Sequence, residues 1–176
     1  MTAIQLINEE LKTSRDLFNG TIEGVLQEHL MVKPGGKALP VGAIIAHAII
    51  CEDLIVNGML RKIAPIGDST FENMTGIDIP MPSMDENWSI AHEKWANTVK
   101  IDLAMINKYK DSVFESTDIY ITSLKDSDLD QEVELGSWGK MKVSYILYSM
   151  IINHLNSLSG EISALKGLQN LKGYPF

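Results

Sequence analysis

A single cysteine, Cys51, stands in a chain of 176 residues. No internal disulfide framework can form, and such usage suits a reducing cytoplasm. Basic residues are scarce too. Fifteen Lys+Arg face 23 Asp+Glu, a net charge of −8. Nucleic-acid phosphates and anionic membrane surfaces are therefore poor partners, because both require clustered Lys/Arg. The sequence has no Gly-rich phosphate loop, no GxSxG elbow and no CxxC pair. The opening stretch MTAIQLINEELK has no basic region ahead of an apolar one and does not read as a signal peptide. The longest uncharged run, residues 143–160, contains Asn153, His154 and Asn156. Those groups are costly in lipid, so the run reads as a buried helix of a soluble protein.

What is present is helical periodicity. Residues 4 to about 26 carry Ile4, Ile7, Leu11, Phe18, Ile22 and Val25 at three-to-four spacing. Gly20 and Gly24 weaken the far end by ~1 kcal/mol each relative to Ala. MVKPGGKALP follows as a loop. A second helix is expected over residues 40 to 62, with Pro40 in its first turn and Ile44, His47, Cys51, Leu54 and Ile55 on one face. Residues 64–87 form a long Pro-, Gly-, Met- and acid-rich connection with room for a short helical turn; connections of this length often cover a functional mouth. Residues 88–124 form either one helix or a short one leading into a longer one. A polar linker with an extended stretch at residues 133–135 precedes the last helix, about residues 141 to 169. Length and pattern together predict one domain, residues 1–176, with an all-α bundle of four long helices and long connections.

Only four histidines are available: His29, His47, His92 and His154. His29 lies near a loop and His92 lies early in the third region, and both read as solvated. His47 and His154 lie on apolar stripes, so both rings are expected to face the interior. A buried imidazole needs a hydrogen-bond partner or a metal. Either ring alone is well explained as a satisfied core histidine. Together they suggest a metal site in the bundle core. Cys51, one turn after His47, can add a sulfur ligand; it can equally be a small buried hydrophobe. Leu158, one turn after His154, cannot bind metal. Glu161 returns to the His154 face about 10 Å along the axis, too far for easy shared ligation. Glu52 and Asp53 rotate off the His47 face toward solvent or a salt bridge at a helix seam.

Three stretches resemble the DinB-like superfamily of four-helix bundles, which includes YfiT-like metal-dependent hydrolases and bacterial low-molecular-weight thiol transferases. They are LPVGAIIAHAIICEDLIV around His47, NWSIAHEKWANTVKIDLAMINKYKDSVFESTDIYITSL, and NHLNSLSGEISALKGLQNLKGYPF. The last is the most specific, and the resemblance spans essentially the whole chain. It implies a histidine triad: one ring from the second helix and an H-x-x-x-H pair on the fourth, just before the glycine of the GEI-like stretch. Those positions fall on His47, His154 and Leu158, so this chain keeps two of the three ligands. The resemblance also implies a divalent metal such as zinc or nickel, held weakly or not at all without the third histidine. It further implies a low-molecular-weight thiol or other small-molecule substrate, and a homodimer.

Three functions follow from this reading. The first is a metal-dependent small-molecule transferase or hydrolase with an altered site. The second is a metal-free small-molecule-binding bundle, in which Leu158 makes the pocket more apolar. The third is a structural dimeric bundle in which the former site is ordinary core.

Overall fold

Thr2 starts the first helix through a reciprocal cap. Its hydroxyl accepts the Gln5 N–H at 3.2 Å, and the Gln5 side chain accepts the Thr2 N–H at 2.8 Å. The helix, α1 (Ala3–Ile22), buries Ile7, Leu11, Arg15 and Phe18 on one stripe. The computed structural model describes residues 1–68, 75–83 and 87–176. α1 stops four residues short of the periodicity. Gly24 adopts φ +78°, and the Lys166 ammonium donates to the carbonyls of Thr21 and Glu23, satisfying the helix end. Gly20 has a packing reason: a Cβ there would sit 2.7 Å from Pro175, where the C-terminal tail folds back.

α2 (Val41–Asp53) continues as a π-helical segment, Leu54–Leu60. Pro40 is its N-cap rather than part of the first turn. This helix is buried on nearly every side, so the apolar face expected from its spacing is in fact a wrapped cylinder. Among the described residues, Val41–Leu60 is also the one helix long and apolar enough to cross a membrane, and 67% of its apolar window is buried inside the protein.

The long connection holds a 3₁₀ turn, Ile66–Asp68, where a short helical turn was expected; residues 69–74 and 84–86 lie outside the described residues. The third helical region is two helices, α3 (Trp88–Ala96) and α4 (Leu103–Ser123). The break has a local cause. Ile101 bridges Ile77, the Lys100 N–H donates to the Asp78 carboxylate at 2.7 Å, and Asp102 caps α4 by accepting from the Met105 N–H. These pairings hold the chain extended between the two helices.

The linker is not wholly irregular. β1 (Glu132–Glu134) pairs antiparallel with β2 (Lys140–Lys142), and the register sets Glu132 against Lys142 and Glu134 against Lys140. The protein is therefore mostly helical with a small hairpin. The extended stretch around Val133 was legible, but its partner strand was not. The last helix, α5, spans 143–168 and begins as α (Val143–Tyr145), passes through a π segment (Ile146–Ile152) and resumes as α (Asn153–Leu168). α5 packs on α1 and α2, and α4 packs on α1 and α2, with the buried apolar residues in two clusters, one holding Phe18, Ile45 and Leu155 and the other Leu11, Ile121 and Leu147.

Burying α2 on all sides forces its carboxylates to find partners inside. Glu52, 3% exposed, takes a 2.7 Å ion pair from Arg15 of α1, the helix-seam salt bridge anticipated for it. Arg15 also pairs with Asp118 and lies over the Phe114 ring, 4.3 Å from its centroid. Asp53 departs from expectation, being neither solvated nor paired with a cation. It is fully buried and accepts from Tyr109 Oη (2.6 Å), Asn57 Nδ2 (2.7 Å), Gly67 N (2.9 Å) and Ile66 N (3.0 Å). One carboxylate thus ties α4 and the start of the long connection to α2. Burial and the Asp53 charge together raise the Tyr109 phenol well above its ordinary range.

Two stability predictions follow from these groups. Asp53→Ala leaves several buried donors without an acceptor and should lower the unfolding free energy by about 3 kcal/mol or more, against about 1–2 kcal/mol for Tyr109→Phe. Arg15→Leu strands a buried Glu52 and should cost about 3–5 kcal/mol, while adding Glu52→Leu should return stability to within about 1–2 kcal/mol of the parent. Urea denaturation monitored by circular dichroism checks both; a double variant as unstable as Arg15→Leu would show that the lost Asp118 and Phe114 contacts dominate instead.

Candidate metal centre

His47 sits in the middle of α2 and His154 at the point where α5 leaves its π segment. The two rings meet inside the protein. Their Nε2 atoms are 3.2 Å apart, the ring centroids are separated by 5.1 Å, and the planes cross at 75°. Both rings are partly buried. The π segment immediately before His154 shifts the phase of α5 relative to a regular α-helix, and such segments recur at functional sites. Heptad counting along α5 does not register that shift.

The pair is electrically neutral near pH 7. Burial, reinforced by the nearby His154 and His92, pushes the His47 imidazole down to about 3. Burial also lowers His154. Two neutral imidazoles with facing Nε2 atoms must adopt opposite tautomers, one donating and one accepting. The same spacing also fits two nitrogens bound to one ion, since nitrogen–zinc bonds of about 2.0–2.1 Å at a tetrahedral angle place the nitrogens a little over 3 Å apart. Uncharged rings need to release no proton to become ligands beyond exchanging tautomer.

Cys51 lies one turn after His47, with Sγ 3.7 Å from both Nδ1 and Nε2 of that ring. One ligand atom from each of His47, Cys51 and His154 falls within 4.8 Å of the others, so the cluster could hold a metal ion. The sulfur is the costlier donor. Burial pushes its thiol up to about 12, and metal binding requires the thiolate. Leu158, expected one turn beyond His154, is 9% exposed and packs in the apolar core beside Leu155 and Ile162. Its apolar side chain offers no ligand. Glu161 stays outside the cluster, and burial raises its carboxyl above the ordinary range.

The remaining two histidines are both half-buried. His29 accepts the Leu26 N–H at Nδ1, 3.0 Å away, and so caps the 3₁₀ turn Gln27–His29. His92 is the residue that the sequence reading missed. Its ring centroid is 4.8 Å from that of His47, with the planes at 70°. Trp88 and Trp95 flank it, at 4.6 and 5.4 Å between centroids. Its Nε2 is buried and has no hydrogen-bond partner among the described residues. Leaving such an atom unsatisfied costs roughly 1–3 kcal/mol. The available signal was the spacing Trp88, His92, Trp95, which places all three on one face of a helix. A face with two indoles turns inward and carries the imidazole with it.

Neither a family model nor a curated protein matches the chain. Among solved structures, it is similar to the crystal structure of a conserved protein from Enterococcus faecalis, with a TM-score of 0.78. The two are 20% identical over 96% of this chain and 97% of that one. At that identity the likeness is one of fold alone, and it extends over nearly the full length of both chains.

Proposed function

We propose that this protein is a DinB-like four-helix bundle and a metal-dependent transferase or hydrolase acting on small molecules, low-molecular-weight thiols among them. The observation that carries this reading is the 3.2 Å approach of His47 Nε2 to His154 Nε2 from two helices distant in sequence. The packing of α4 and α5 on both α1 and α2 supports the bundle assignment. His47 and His154 would hold the ion, with Cys51 beside them. A divalent ion such as zinc or nickel supplies Lewis-acid polarisation and lowers the pKa of a bound water or thiol. The chain's own contribution is to present two neutral imidazoles at fixed spacing. Cytoplasmic location and a homodimeric state belong to the same proposal, in keeping with the single free cysteine and the resemblance.

One observation favours a second reading. The two imidazoles already satisfy each other as a hydrogen-bonded pair, so the interior is self-consistent without an ion. In that reading the protein binds a small organic ligand without metal, and the histidines serve as its polar contacts.

Zinc and nickel titration of untagged protein separates the two. The first reading expects stoichiometric uptake, thermal stabilisation reversed by chelator, and a loss of affinity of at least about a hundredfold in His154→Ala or His47→Ala, since even outer-shell partners contribute about 10–100-fold. Stabilisation by small aromatic or thiol compounds that ignores chelator, with no metal uptake, would establish the second reading and remove the first.

A further inference from the structure

The geometry points to His92 of α3 as the third imidazole of the metal centre, standing in for the position on α5 that Leu158 occupies. This rests on the metal-site reading above and adds a ligand to it.

The first support is the orphaned nitrogen. His92 Nε2 is buried and unpartnered among the described residues, although its ring lies edge-to-face with His47 at 4.8 Å. Buried polar atoms in folded proteins are nearly always satisfied, and an exception calls for an explanation such as an ion. The second support is the donor set around His47. Cys51 Sγ is 3.7 Å from both of its nitrogens, but a thiol must give up its proton before it binds an ion, whereas a neutral imidazole need not. His92 is the donor that adds to the pair without that cost.

The third support is the setting of His92. Trp88 and Trp95 flank its ring, and the Trp95 indole donates to the Ile79 carbonyl at 2.8 Å, which anchors the end of α3. Such a ring is confined to the vicinity of the pair. His92 lies outside the cluster formed by His47, Cys51 and His154, so ligation needs a side-chain movement toward the other two rings. That movement gives Nε2 the partner it lacks.

Cobalt(II) titration tests this, because its visible spectrum reports coordination number and a thiolate ligand adds a near-ultraviolet charge-transfer band. The proteins are the full chain and its His92→Ala, His92→Gln and His92→Ala/Leu158→His variants, each checked for fold by circular dichroism. The expected result is cobalt affinity reduced about tenfold or more in both His92 variants, with a changed visible spectrum. Leu158→His should restore binding to His92→Ala. Parental affinity and spectrum in both His92 variants would overturn the assignment while leaving the metal centre standing. A parent that takes up no cobalt would refute the metal centre itself and His92 with it.

Discussion

Enclosure of α2 is the constraint on which the other features depend. A helix surrounded by protein cannot hand its polar side chains to water, so each must be satisfied from another element. Glu52 draws Arg15 from α1, and Asp53 gathers Tyr109 from α4 together with the backbone of the following connection. Asn57 donates to Asp53 and accepts from Ser116 and Arg61. His47 meets His154 from α5. These partners come from each of the other long helices. The polar groups of one buried helix therefore fix how the rest of the molecule assembles around it.

The candidate metal centre grows out of the same constraint. Burial disfavours charge on His47, His154 and His92 alike, leaving imidazoles that are neutral and nucleophilic at nitrogen. It acts in the opposite sense on Cys51, holding it as a thiol. One physical cause thus makes nitrogen the ready donor in this interior and sulfur the reluctant one. α5 supplies a single histidine, and α3 brings another imidazole to within 4.8 Å of the His47 ring centroid.

The likeness to the Enterococcus faecalis protein extends through both chains at 20% identity. Apolar stripes tolerate wide substitution as long as their periodicity and volume persist, so a fold can survive such divergence. A site does not share that tolerance, because it depends on a few atoms at fixed distances.

The sequence by itself determined that the chain is mostly helical and where most of the helices lie, since helix formation and side-chain burial both follow local periodicity. Ile7, Leu11 and Phe18 on α1, and Leu147, Ile151, Leu158 and Ile162 on α5, are buried where their spacing puts them. It also marked out His47 and His154, because an imidazole on an apolar stripe turns inward with its neighbours. Tertiary structure decided the rest. The end of α1 depended on Lys166, 144 positions beyond Ile22 by number (166 − 22), and the break before α4 on the pairing of Ile101 with Ile77. The partners of Asp53 and the nearness of His92 to His47 join segments whose separation in sequence carries no record of their contact. Local pattern encodes which way a side chain faces; only the packed chain encodes what it meets there.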